Sequence, residues 1–135
     1  MIVSDDIRKD VGQAFAEGAF ELGLWTRLVV LETTGEYRTE VPAHLIEMIN
    51  TPNTPNIFIN TLRGPAQETP FRIKVIKLET RRGTSRLGHC PGITMDMLTE
   101  GALALTKEEH AKMQSDARSL IAMLQNSVSV HVQAP

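Results

Sequence analysis

Cys90 is the residue whose type most directly suggests nucleophilic chemistry, and it directly follows His89. Neighbouring cations stabilise a thiolate, the reactive form of cysteine, and three precede it in the chain: Arg81, Arg82 and Arg86. A base for such a nucleophile can come from anywhere in the fold, because catalytic groups are assembled in space rather than in sequence. One hypothesis is therefore a small enzyme or ligand-binding protein. Its pocket would lie near residues 81–92 and would use Cys90 or a histidine.

The established spacings for such chemistry are absent. His89-Cys90 matches the first two positions of the phosphatase signature H-C-x5-R, but Asp96 stands where that signature needs an arginine to clamp the phosphate. Gly83 to Gly88 lacks the lysine and hydroxyl pair of a P-loop. One cysteine cannot form an internal disulfide or a cysteine-rich zinc site. We expect no cofactor and no metal, since the four histidines are scattered along the chain: His44, His89, His110 and His131.

A basic segment, residues 71–90, is the strongest local signal. It holds six cations and one acid, and it carries +5 in a chain whose net charge is −2. Three interpretations are open: a solvated strand face that protects a sheet edge, a site for an anionic partner, and association with the acidic residues 1–40. The predicted partner-binding residues are Arg72, Lys74, Lys77, Arg81, Arg82 and Arg86.

The main functional hypothesis is a small, soluble, non-enzymatic adaptor or regulatory protein. It would bind an anionic macromolecule through the basic segment, which is predicted to be a strand followed by a loop. A protein partner is favoured over nucleic acid, because RNA-binding sheets stack bases on aromatic side chains and only Phe71 lies in this segment.

Self-association is a second prediction. Residues 5–22 form a predicted amphipathic helix that follows a capping Ser4. Phe20 lies off the apolar stripe of this helix, and Trp25 follows shortly after it. Exposed aromatic side chains often mark interfaces, so we predict a homodimer that uses Phe20 and Trp25.

These residues must be positioned by elements that the hydrophobic patterns predict. Thr33-Thr34-Gly35 separates two β-like runs, which is typical of a hairpin. Apolar and basic residues alternate from Phe71, as in a strand with one solvated face. In chain order, the predicted elements are helix 5–22, strands 26–32 and 36–41, a short helix from Pro42, strand 57–62, strand 71–78 with a bulge near Val75, a helical segment 94–105, a helix from the Thr106 capping box, and strand 127–132.

The order of these elements predicts one α+β domain over residues 1–135. Its antiparallel sheet of about four or five strands would carry an N-terminal and a C-terminal amphipathic helix on one face. The composition, 41% hydrophobic and 22% charged, is that of a globular protein. The longest strongly apolar run has four residues, 28–31, and the N-terminus resembles no signal peptide. We therefore expect a cytoplasmic protein with no membrane partner.

Overall fold

The computed structural model describes residues 1–51, 56–81, 83–101 and 103–133. The chain divides into two compact units, residues 1–95 and residues 96–135. The first unit contains the whole sheet and three α-helices. Its elements are β1 (Ile2–Asp5), α1 (Lys9–Glu21), β2 (Leu28–Leu31), α2 (Ala43–Asn50), β3 (Ile57–Thr61), α3 (Thr69–Thr80) and β4 (Arg86–His89).

The four strands form one sheet in the order β2-β1-β3-β4, and every pairing is parallel. A helix follows each of the first three strands, so the unit is an α/β fold of Rossmann-like topology. The predicted α+β class with an antiparallel sheet is therefore wrong. The apolar run Leu28–Leu31 forms β2, an edge strand in which Val29 and Leu31 are buried and Val30 is exposed.

The element that the sequence analysis missed is β1, which lies in the centre of the sheet. All four of its residues are buried. The pattern predicted that Ser4 caps a helix, but its Oγ instead donates to the carbonyl oxygen of Arg8, at 2.8 Å. A single 3-10 turn, Asp6–Arg8, follows the strand, and α1 begins only at Lys9.

α1 packs against β1 and β2. Gly12 allows this close approach, because a Cβ at this position would lie 2.8 Å from the Cβ of Ser4 and 3.1 Å from Cδ1 of Leu28. The main core includes residues of α2, α3 and the sheet, among them Val3, Leu45, Phe58, Phe71 and Val75.

The basic segment does not begin with a strand. Residues 69–80 form α3, so the predicted strand 71–78 and its bulge near Val75 are wrong. The buried positions of α3 are Phe71, Arg72, Val75 and Glu79, which follow a helical repeat. The alternation was misleading because Arg72 is buried and Ile73 is 45% exposed, the reverse of the predicted pattern.

The predicted hairpin is also absent, since residues 36–41 form no strand. The strand that completes the sheet is β4, within a segment predicted to be irregular. It pairs with β3 through Ile57 and Arg86 at one end and through Asn60 and His89 at the other.

The second unit is helical. It contains most of α4 (Met95–Thr99) and all of α5 (Lys107–Gln125). The predicted capping box is confirmed: Thr106 Oγ1 accepts from the Glu109 N–H, and the Glu109 carboxylate accepts from the Thr106 N–H. The predicted strand 127–132 is absent. In the described part of the chain, no helix has the length and apolar character that crossing a bilayer requires.

Candidate functional site

The six predicted partner-binding cations do not form one surface. Lys74, Lys77 and Arg81 are exposed, while Arg72 is buried. Arg86 is exposed at the start of β4, and Arg82 lies outside the described residues. The structure thus divides the predicted site into three exposed cations near the C-terminal half of α3, one exposed cation on the sheet and one internal arginine.

Arg72 is held inside the molecule by hydrogen bonds. Its Nη1 donates to the carbonyl oxygens of Arg63, at 3.3 Å, and Pro65, at 3.0 Å. Its Nη2 donates to Oγ1 of Thr69, at 3.0 Å. These acceptors belong to the start of α3 and the loop before it, so Arg72 joins these two segments rather than facing an external partner.

Lys74, Lys77 and Arg81 lie on one face of α3, because they are three and four residues apart. They line an open groove of about 420 Å³ together with Glu40, Val41, Ile46 and Leu78; we call this the basic groove. Lys74 is ion-paired with Glu40 and donates to the carbonyl oxygen of Thr39, at 2.9 Å. Neither Lys77 nor Arg81 forms an ion pair with a described residue.

A second group of charged residues lies at the carboxyl end of the sheet. The Glu68 carboxylate is fully buried and is paired with Arg63 and Arg38. Asp5, the last residue of β1, accepts from the N–H of Arg63 at 2.7 Å and lies 3.5 Å from Nη1 of Arg38. We call these four residues the carboxyl-edge network. Arg38 extends it further by donating to the carbonyl oxygen of Glu32, at 2.7 Å.

The charge state of Glu68 follows from these contacts. Burial opposes its ionisation, but the hydrogen bonds from Arg63 and the Arg38 N–H, together with the two guanidinium charges, lower its pKa below the ordinary value. The hydrogen bond from Arg63 likewise raises the pKa of that guanidinium. Both partners are therefore charged at neutral pH.

The carboxyl-edge network lies at the place where parallel α/β sheets bind ligands. Parallel α/β sheets bind ligands beyond the carboxyl ends of the strands, at the point where the strand order reverses. That point lies here between β1 and β3, where the hydrogen bond from the Arg63 N–H to Asp5 joins the two strand ends. The carboxyl-edge network thus lies at this position, where its contacts join the ends of β1 and β3.

A third polar group surrounds Glu79, near the end of α3. Its carboxylate is 1% exposed, and Oε2 accepts from Nδ2 of Asn60 at 2.8 Å. The Asn60 Nδ2 also lies 3.5 Å from Nδ1 of His89. Burial raises the pKa of Glu79 to about 7, despite the opposing effects of the Asn60 hydrogen bond and the positive charge of the Met1 amino group.

The residues of the enzyme hypothesis lie at the end of β4. Cys90 is half-buried, and its N–H donates to the carbonyl oxygen of Asn60 at 2.9 Å. Burial, and to a smaller extent the charge of Arg72, lowers the pKa of His89, which is therefore neutral at pH 7. Within the described ranges, no three His, Cys, Asp or Glu residues are placed to hold a metal ion.

The two aromatic residues of the self-association hypothesis are exposed. Phe20 is 76% exposed and Trp25 is 74% exposed, and Leu22 between them is 78% exposed. The guanidinium carbon of Arg27 lies 5.1 Å from the Trp25 ring centroid, within the range of a cation–π contact.

Sequence reasoning missed Arg38, Arg63, Glu68 and Glu79. The first three lie in segments predicted to be a strand or a loop, where charged side chains are ordinarily solvated. Glu79 carried one signal, since it is the one acid in the basic segment. Its burial becomes readable only when residues 71–80 are recognised as a helix, because Glu79 then lies two turns after Phe71 on the same face.

Neither a protein-family model, nor a curated protein, nor a solved structure matches this chain.

Proposed function

We propose that the protein is a binding module that takes an acidic segment of another protein into the basic groove. The observation that carries this proposal is the position of Lys77 and Arg81, two exposed cations without a described ion-pair partner, beside the apolar side chains of Val41, Ile46 and Leu78. A partner with an apolar anchor residue and flanking carboxylates complements both features. We also retain the expectation of a cytoplasmic protein, which rests on the single cysteine and the short apolar runs of the sequence.

The groove favours a protein segment over a nucleic acid. Single-stranded nucleic acids are bound by cationic grooves in which aromatic side chains stack on the bases. Phe71, the aromatic residue of the basic segment, is fully buried and is not available for stacking. The groove offers aliphatic surface instead, which suits a leucine or isoleucine side chain.

The direct test uses synthetic peptides as probes. A labelled peptide with one leucine between glutamates is compared with a peptide in which every glutamate is replaced by glutamine, and with a single-stranded oligonucleotide. We expect the acidic peptide to bind most tightly and to lose affinity as salt is added, because exposed charges are screened. Equal binding of the two peptides would refute the role of the cations, and preference for the oligonucleotide would refute the choice of partner.

Reversing the two unpaired cations is the matching prediction. The double variant Lys77→Glu, Arg81→Glu should weaken binding of the acidic peptide by about tenfold or more, because two attractions become repulsions. Stability should change by less than about 0.5 kcal/mol for each exposed site. Fluorescence anisotropy and chemical denaturation measure the two effects. Lys9→Glu, an exposed lysine on α1, is the control and should keep the affinity of the wild type.

Self-association through Phe20 and Trp25 is a separate prediction, whose partner is a second copy of the chain. Together with Leu22 they present exposed apolar side chains that a dimer would bury. Sedimentation at micromolar concentrations should show a dimer, and the variant Phe20→Ser, Trp25→Ser should sediment as a monomer. The control is Ile73→Ser, which removes a 45% exposed apolar residue of α3. A wild-type protein that stays monomeric at all concentrations would contradict the prediction.

A further inference from the structure

A cavity of about 280 Å³ lies next to the buried Glu79 carboxylate. Its lining combines apolar side chains with a few polar ones: Ile49, Asn50, Phe58, Leu78, Glu79, Arg81 and Ser85. This combination is typical of small-molecule sites, in which apolar surface provides affinity and a few polar groups fix the orientation of the ligand.

Two buried oxygens at this place accept no hydrogen bond from the described residues. One is Oε1 of Glu79, a residue that lines the cavity, and the other is Oδ1 of Asn60, which does not line it but whose Nδ2 donates to the other Glu79 oxygen. Glu79 is 1% exposed and Asn60 is 0% exposed, so bulk water does not solvate either group freely. A buried acceptor that lacks a donor is costly. A ligand that satisfies this site must therefore donate hydrogen bonds.

The charges around Glu79 indicate which charge the ligand carries. No described cation lies within ion-pair distance of its carboxylate, whereas Glu68 has two arginine partners. His89 is neutral at pH 7, and the Met1 amino group already donates to the carbonyl oxygen of Ile57 at 2.8 Å. Arg81 lines the cavity and is exposed. Among the described residues, the Glu79 carboxylate therefore lacks a positively charged hydrogen-bond donor.

We propose that this cavity binds a small aliphatic primary amine, whose ammonium group donates to Oε1 of Glu79 while its hydrocarbon part contacts Ile49, Phe58 and Leu78. An ammonium group has three donors and a charge that matches the carboxylate. An alcohol of the same shape has one donor and no charge. The proposal does not rest on the acidic-peptide function, because Glu79 does not line the basic groove, although Leu78 and Arg81 line both the groove and the cavity.

Calorimetric titration with 3-methylbutylamine tests this site, and 3-methylbutan-1-ol is the ligand of matched shape. At pH 8 we expect saturable binding of the amine and binding of the alcohol that is at least tenfold weaker. Glu79→Gln should weaken amine binding at least tenfold, since it removes the charge but keeps the shape. Glu21→Gln, the same change at an exposed position of α1, should leave the affinity unchanged.

The pH dependence gives an independent readout. Because the pKa of Glu79 is about 7, its ionised fraction rises about tenfold from pH 6 to pH 8. The amine should therefore bind about tenfold more tightly at pH 8, and the Glu79→Gln variant should not show this increase.

Two results would overturn the proposal: no saturable binding of the amine to the wild type, or equal affinities for amine and alcohol. If Glu79→Gln fails to fold, amine titration of the wild type followed by NMR still decides the question. The side-chain amide signals of Asn60 should then shift with the amine, and signals that stay fixed at saturating amine would contradict the site.

Discussion

Glu68→Ala is expected to lower the free energy of unfolding by about 3 kcal/mol or more, which is the usual cost of removing one partner from a buried ion pair. The Glu68 carboxylate is fully buried, and it accepts from Nε of Arg63 and from the backbone N–H of Arg38, both at 3.0 Å. Its removal leaves two guanidinium groups that are only 10–15% exposed without their main counter-charge. Urea denaturation at pH 7 measures the loss.

The matched control is Glu40→Ala, which removes a glutamate whose side chain is 79% exposed from its ion pair with Lys74. Such surface pairs contribute about 0.2–1 kcal/mol. If both substitutions have equally small effects, the carboxyl-edge network is not a source of stability. A Glu68→Gln variant separates charge from packing, because it keeps the side-chain volume.

The same network makes a pH-dependent contribution to stability in acid. The folded state holds the pKa of Glu68 below its ordinary value of 4.5. A group of this kind contributes stability that is fully present above its unfolded pKa and is lost as the pH falls through its folded pKa. Protonation of Glu68 is therefore expected to remove part of the stability of the carboxyl-edge network as the pH falls below 4.5.

Glu79→Gln is expected to raise the free energy of unfolding at pH 8 by up to about 3 kcal/mol. Burial raises the folded pKa of Glu79 from 4.5 to about 7. Between these two values the unfolded chain has already lost a proton that the folded protein retains, so stability falls as the pH rises. A neutral glutamine avoids this loss, and its side-chain oxygen can still accept from Nδ2 of Asn60.

Denaturation at pH 5, 6, 7 and 8 measures this effect as the difference between variant and wild type. The difference between the two proteins should be small at pH 5, grow mainly between pH 5 and pH 7, and change little from pH 7 to pH 8. The lowered pKa values of His89 and the Met1 amino group also affect stability in this range. Because both groups are present in the two proteins, their main contributions cancel in the difference. A difference that is constant across the four pH values would contradict the raised pKa, and Glu21→Gln should show no difference at any of them.

The sequence predicted the elements that depend on local contacts, and it missed β1, whose sheet neighbours are distant in the chain. The capping box at Thr106 and the helix after Pro42 depend on contacts within a few residues, and these signals were readable. β1 was not readable, because Ile2–Asp5 is too short to show a period and Ser4 with two acids resembles a helix cap. Its neighbours in the sheet lie at positions 28–31 and 59–61, and no local pattern contains them.

The candidate sites depended on the correct secondary structure of residues 71–80. In a strand, Arg72 and Lys74 would share a solvated face. In α3 their side chains point in different directions. The helix separates them, so that Arg72 is buried while Lys74 joins Lys77 and Arg81 at the basic groove. The basic character of the segment was thus visible in the sequence, but the subset of its cations that lie together was not.

The central position of β1 has a consequence for synthesis of the chain on the ribosome. β1 is made before both of its sheet neighbours, β2 and β3, and β3 ends at Thr61. The ribosome adds 56 residues after Asp5 to complete Thr61, and translation at about 5–20 residues per second needs roughly 3–11 s to add them. Throughout that interval β1 has at most one of its two edges paired. We therefore expect the nascent chain to be open to strand-mediated aggregation until β3 has been made and can pair with β1.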